Sequence, residues 1–313
     1  MTSLLEIHHH LFEAGEYELA GGIVTDIWDF LRMQGQQELA KDLLKKSIGS
    51  LEGFNKYVAR SNLATLLNGE GKWQEALDTY QECLEFFQGI DARPQMATTI
   101  CQQGLIYRQQ GQYKKALELE KESLAIREGI DEKEGIVISH HRIAQLLMLM
   151  ERYEEALNQA EEGLEMARKL GNQQLEAAYL RQLGLTLKDL GRPQEAFQRF
   201  QESLTIFKQT GDRAGQADSL GEVGKLLGDA GQLKAALDCF HRALDIDRDL
   251  GDPVKVAISL EAIGFTFEDQ GHYHEALEKY QEALQLFQQY SSPQNIALTE
   301  RDIARAKNLL AQK

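Results

Sequence analysis

Six times, at a fixed spacing of 40 residues, one pattern recurs along this chain: a small residue, a turn residue, an aromatic or apolar residue, then alanine. The small residues are Ala64, Gly104, Ala144, Gly184, Gly224 and Gly264. The turn positions are Gly71, Gly111, Glu151, Gly191, Gly231 and Gly271. Trp73, Tyr113, Tyr153, Pro193, Leu233 and Tyr273 follow, and then Ala76, Ala116, Ala156, Ala196, Ala236 and Ala276. A register kept this strictly means that one supersecondary unit is stacked on itself, because no single repeat can bury its apolar face alone. A chain built so has no single core to divide into domains.

Each repeat reads as two helices. Between residues 97 and 130, Ile100, Gly104 and Tyr107 recur about once per helical turn. Gly111 ends that helix, and Tyr113 to Ile126 forms a second, with Ala116, Leu117 and Leu124 on its inner face. Small residues at Gly104 and Ala116 let the two axes approach; a larger side chain would force them apart. Glycine next to a capping side chain marks the junctions between repeats at Gly171-Asn172, Gly211-Asp212 and Gly251-Asp252. The Gly-Ile-Asp triplets ending at Asp91 and Asp131 read the same way, with the aspartate as N-cap. Pro94, Pro253 and Pro293 fall near the starts of first helices and Pro193 at the start of a second, where a missing N–H costs least.

These positions resemble those of the tetratricopeptide repeat over nearly the whole chain. GEGKWQEALDTYQECL, GQYKKALELEKESL and GHYHEALEKYQEAL are similar to its second-helix signature. The longer period resembles the subclass that includes kinesin light chain. The resemblance implies an all-α fold, a right-handed superhelical solenoid of antiparallel helix pairs. Residues 1–53 read as a leading helix (Ser3–Ala14) plus a degenerate first repeat, whose first helix would run from about Tyr17 to Met33. Residues 54–290 hold the six repeats and 291–313 a capping helix, all in one continuous domain. The opening stretch EIHHHLFEAGEYELAGGIVTDIWDFLRMQGQQELAKDLL is similar to the start of the sensor region in bacterial STAND-type signalling ATPases. That implies the sensor portion of a larger switch, with Met1 then an artificial start; a reading frame opening at Met1 would argue against it.

Catalytic constellations are missing from the sequence. GEVGKLLGD places Ser219 where a phosphate loop needs its first glycine and Leu226 where it needs Ser or Thr, all in mid-helix. His8, His9 and His10 are consecutive, so on a helix they point about 100° apart and cannot share a metal. His140 and His141 fail for the same reason. The expectation is a non-enzyme with no metal and no cofactor. Cys83, Cys101 and Cys239 are too few for a disulfide framework and read as small buried residues, which makes the cytosol the default compartment. A net charge of −15 disfavours nucleic acid and anionic membranes.

The resemblance also implies that first helices line a concave face that binds extended peptides or partner helices. Its groove positions in this chain change character along the array. Asn62, Thr65, Asn68 and Gln102 are polar and neutral. A basic centre follows: Arg108, His141, Arg142, Arg181, Lys188 and Lys225, with Gln145 and Gln182 among them. The end is acidic: Glu222, Asp229, Glu261, Glu268 and Asp269, with Phe265 between. Asn62, Arg108, His141, Arg142, Gln145, Arg181, Gln182, Lys188 and Lys225 are thus the candidate partner-binding residues. A protein or peptide with an acidic segment would suit the basic centre, since arginine offers a planar donor fork to carboxylates. The alternative is a self-assembling adaptor that joins through its ends, where Trp28, Phe30, Leu309 and Leu310 supply apolar surface.

Overall fold

The computed structural model describes residues 2–16, 19–20, 22–23, 28, 30–31, 35–290 and 293–312. Those residues hold fifteen helices. They are α1 (Thr2–Glu13), α2 (Gln37–Ile48), α3 (Gly53–Gly69), α4 (Trp73–Gly89), α5 (Arg93–Gln109), α6 (Tyr113–Gly129) and α7 (Lys133–Leu149). Then come α8 (Tyr153–Lys169), α9 (Gln173–Asp189), α10 (Pro193–Thr210), α11 (Arg213–Asp229), α12 (Leu233–Leu250), α13 (Pro253–Asp269), α14 (Tyr273–Tyr290) and α15 (Pro293–Ala311). The expected first helix of the degenerate repeat falls largely outside the described residues. Of its neighbourhood, Leu31 packs with Ala40 and Leu44, and Trp28 lies against them.

The fold is all-α, with consecutive helices packed in pairs within each of two compact units, Met1–Arg152 and Tyr153–Lys313. In the N-terminal unit α3 pairs with α4 and α5 with α6, and α7 packs on α6. In the C-terminal unit the pairs are α10 with α9, α12 with α11 and α14 with α13, and α15 closes the stack on α14.

A repeated turn makes each pair. At Gly71 the backbone enters the left-handed region (φ +76°) and lets Lys72 N–H reach back to Leu67 O at 2.9 Å. Glycine suits that conformation because it has no Cβ to clash. Glu151 holds the same geometry without glycine: its φ is 58°, and Arg152 N–H bonds Leu147 O at 2.9 Å. The turn thus does not require glycine; glycine only adopts it at lower cost.

Helix starts follow the sequence at three junctions. Asn172 accepts from Leu175 N–H (3.1 Å), Asp212 from Gly215 N–H (2.8 Å), and Asp252 from Val254 and Lys255 N–H (both 3.1 Å). The Gly-Ile-Asp triplets behave differently. Asp91 and Asp131 take positive φ (52° and 54°), and the N-cap positions are Ala92 and Glu132. Aspartate tolerates the left-handed region better than most residues, so one residue type serves two junction designs.

Within the pairs, glycines face rings. A Cβ at Gly184 would lie 2.6 Å from the Phe200 ring, one at Gly224 2.6 Å from Phe240, and one at Gly264 2.8 Å from Tyr280. Phe200 and Tyr280 are fully buried. In the N-terminal unit Ala64 packs with Tyr80, whose hydroxyl meets Thr65 Oγ1 at 2.8 Å. These close approaches fix how near the first helix of each pair lies to its second.

Candidate binding grooves on the first helices

Two adjoining cavities line the first helices of the C-terminal unit. One of about 280 Å³ is bordered by Arg181 on α9, Asp218 and Glu222 on α11, Lys255 on α13 and Asp247 on α12. The other, about 380 Å³, has Phe240, Ile258 and Phe265 as its apolar lining and Asp229, Glu261 and Asp269 at its polar edge. Lys225, Phe240, Ile258 and Ala262 border both, so the two form one continuous groove. Phe265 and Ile258 are 51% and 47% exposed, and both line the larger cavity.

Charges in this groove are unevenly paired. Glu222 accepts from Lys188 Nζ at 2.7 Å and from Lys225 Nζ at 2.8 Å. Burial opposes its charge, but the two lysines together outweigh burial and hold the Glu222 carboxyl below the usual range. Lys255 pairs with Asp218 at 2.5 Å. Arg181 forms no ion pair among the described residues and borders the smaller cavity. Gln182, next to it in sequence, is 5% exposed and faces the interior.

Asp247 is the residue that reading the sequence for surface charge missed. It is 3% exposed, accepts from Ser259 Oγ at 2.9 Å through one oxygen, and leaves Oδ1 without a partner. Burial pushes its carboxyl up, with Ser259 and then Lys255 opposing. The signal was available. Phe87, Phe207 and Phe287 occupy the corresponding position of three other repeats, with Arg127 and Ala167 in the remaining two, so Asp247 is the only carboxylate in that column.

In the N-terminal unit the candidate residues are largely engaged with one another. Arg108 Nη1 donates to Gln145 Oε1 at 3.1 Å, and Gln145 Nε2 lies 3.0 Å from His141 Nε2. Arg142 is half-buried; its Nη1 lies 3.7 Å from Glu120 Oε1 and also contacts Cys101 Sγ. Glu120 is itself 1% exposed and stands where Tyr80, Phe200, Phe240 and Tyr280 stand in other repeats. Cys101 donates to its Oε1 at 3.4 Å, and its Oε2 has no partner. Asn62 lies apart from this cluster, on a shallow cavity of about 230 Å³ with Val58, Phe87 and Thr98. The structure thus gathers Arg108, His141 and Gln145 in one place, joins Lys188 to Lys225 through Glu222, and turns Arg142 toward a buried carboxylate.

All three cysteines are free and buried. Among the described residues no group of His, Cys, Asp or Glu side chains is arranged to hold a metal ion. No described helix is long and apolar enough to cross a membrane.

Comparison with known proteins fits this architecture. The tetratricopeptide repeat profile matches residues 57–129, 135–209, 175–249 and 215–289. No curated protein matches the sequence. Among solved structures, a Rap protein complexed with Competence and Sporulation Factor aligns over 100% of this chain and 99% of its own, at 16% identity and a TM-score of 0.62. A Signal Transduction ATPase with Numerous Domains (STAND) from Pyrococcus horikoshii, with a tetratricopeptide repeat sensor, aligns over 99% of this chain at 17% identity and a TM-score of 0.70. This chain covers 48% of that ATPase. The nearly identical TPR-like repeats of a Podosopora anserina protein described as a kinesin light chain align over 60% of this chain and 95% of theirs, with 19% identity and a TM-score of 0.51. At such identities the likeness is one of fold.

Proposed function

The chain belongs to the tetratricopeptide repeat family, and from that premise we propose that it is a non-catalytic, cytoplasmic scaffold that holds a protein or peptide along its first helices. We further place it as the ligand sensor of a STAND-type switch. Support for the binding role comes mainly from the groove of the C-terminal unit, where Phe265 and Ile258 stay exposed in one cavity and Arg181, with no ion pair among the described residues, borders the adjoining one. Exposed apolar surface in a concave setting is costly unless something covers it. The Rap structure, with its bound factor, and the ATPase, with its repeat sensor, have the same fold and are consistent with both parts. As a sensor, the chain would favour one state of the switch only to the extent that its ligand binds that state more tightly.

Arg181 is the basic residue best placed to take a carboxylate, because Lys188, Lys225 and Arg142 already face acidic partners. Reversing its charge with Arg181→Glu should weaken binding of a partner captured by the immobilised chain by about tenfold, with helical content unchanged. Raised salt should narrow that difference. Equal affinities for the parent and Arg181→Glu proteins, both folded, would remove Arg181 from the site and leave the basic centre without support.

A further inference from the structure

Beyond Arg181 the same groove changes sign. Asp229, Glu261 and Asp269 border its larger cavity, and none forms an ion pair among the described residues. Glu261 accepts only a hydroxyl, from Thr299 at 2.6 Å. Burial, then Asp302, pushes the Glu261 carboxyl up against the opposing Thr299 bond; burial and neighbouring Glu268 do the same to Asp269. Negative charge is therefore held here at a cost that a bound cation would relieve. Phe265 offers its ring to the same space.

The chain already carries an arginine at this rim. Arg305 on α15 pairs with Glu268 and with Asp302, both at 2.6 Å, and its guanidinium carbon lies 5.8 Å from the centre of the Phe265 ring. Aromatic ring and carboxylates thus accommodate one guanidinium from the side of α15, while Asp229, Glu261 and Asp269 remain unpaired on the groove side. A second, independent observation points the same way. Asp247, 97% buried by its 3% exposure, borders the adjoining cavity with Oδ1 lacking any donor. A buried carboxylate oxygen without a donor is costly, and it asks for an N–H or ammonium from outside.

We propose that this groove receives a cationic peptide segment: an arginine or lysine side chain against Phe265 among Asp229, Glu261 and Asp269, with a backbone N–H of the peptide reaching Asp247. The inference rests on the first-helix reading above and gives its ligand a sign and a direction. Any acidic portion lies toward Arg181 and the basic portion toward α15. Ring and carboxylates act together, since a cation over an aromatic face gains attraction that a carboxylate pair alone lacks.

Fluorescence anisotropy with three labelled peptides of roughly ten residues tests this, their lengths chosen to run extended along several first helices. One alternates Arg with Leu, one Glu with Leu, one Gln with Leu. The full chain should bind the Arg–Leu peptide best. The near-isosteric pair Glu261→Gln with Asp269→Asn should weaken it about tenfold. Because an acidic protein attracts any polycation, Asp245→Asn with Glu278→Gln serves as the control: both residues are exposed on second helices, and the same charge is removed. That control should change affinity by less than about twofold. Phe265→Ala should weaken the Arg–Leu peptide more than the Gln–Leu peptide. Equal losses in the two charge-removing pairs, a preference for Glu–Leu, or no binding of Arg–Leu overturns the inference. If Arg181→Glu alters binding while the Glu261/Asp269 pair does not, only this inference fails. If Arg–Leu binds and no first-helix substitution alters it, the groove reading fails as well.

Discussion

Cutting Phe200 back to alanine is expected to destabilise the C-terminal unit by about 3–5 kcal/mol, the range for removing a buried phenyl ring. Phe200 is fully buried, clusters with Leu187, Leu220 and Val223, and packs face to face with a glycine that has no side chain to fall into the void. Contacts in a repeat array reach only to the next repeat, so the loss should appear in the urea unfolding of that unit and leave the N-terminal one near its parent midpoint.

Gly184→Ala supplies the complement. Alanine favours a helix by about 1 kcal/mol over glycine. Its Cβ, however, would sit 2.6 Å from the buried ring, and overpacking of that kind costs about 1–3 kcal/mol. On the parent background the clash should win or cancel the gain; on the Phe200→Ala background the extra methyl meets a void and should stabilise. The double variant should therefore be less damaged than the sum of the single changes, by about 1 kcal/mol or more. Strict additivity would show that small residue and ring are not partners, and the geometric reading of the repeat would fall with it.

Glu120 carries the second large effect, and it depends on pH. Burial pushes its carboxyl from 4.5 up to about 7, with Arg127 and then Arg108 opposing the shift. Between those two values the native state keeps a proton that the unfolded chain has released, so stability falls as pH rises through the interval. The penalty is absent below the unfolded value and complete above the folded one. A shift of that size corresponds to about 3 kcal/mol, and attraction from Arg142 trims it, so about 2 kcal/mol is expected. Glu120→Gln removes the titration. Relative to the parent, the variant should gain about 2 kcal/mol in the N-terminal unit near pH 8 and little near pH 5. Urea midpoints of both proteins across that range decide it. A difference between them that does not vary with pH would mean Glu120 is charged in the folded state throughout.

Most of the fold could be read from residue spacing because a stacked array presents each position with the same surroundings every 40 residues. The turn at Gly71, the small residues facing Phe200 and Phe240, and the caps at Asn172, Asp212 and Asp252 are all local or near-local. Asp91 and Asp131 misled because aspartate serves equally as a cap and as a left-handed turn residue. The groove was harder. Reading the first-helix face identifies which side chains point the same way, but not which of them neutralise one another. Contacts between successive first helices fall at more than one offset: Lys188 to Glu222 at 34 residues, Arg108 to Gln145 and Lys255 to Asp218 at 37. The same offset joins Arg305 on the closing helix to Glu268. Applied to the sequence, the longer offset would have found the carboxylates paired with Lys255 and Arg305 but not the one paired with Lys188. Reading each repeat column for carboxylates at inward positions would have found Glu120, where four other repeats have a ring, and Asp247, where three do.

Hydroxyl-radical footprinting, with and without a bound partner, tests most directly whether the first helices form the binding face. Phe265 and Ile258 on α13 are about as exposed as Leu250 and Tyr290, at the ends of the second helices α12 and α14 (51%, 47%, 47% and 53%), so all four should be labelled in the free chain. Binding should protect Phe265 and Ile258 and leave Leu250 and Tyr290 unchanged. Protection of Leu250 and Tyr290, with Phe265 and Ile258 still labelled, would place the partner on the second helices and contradict the account.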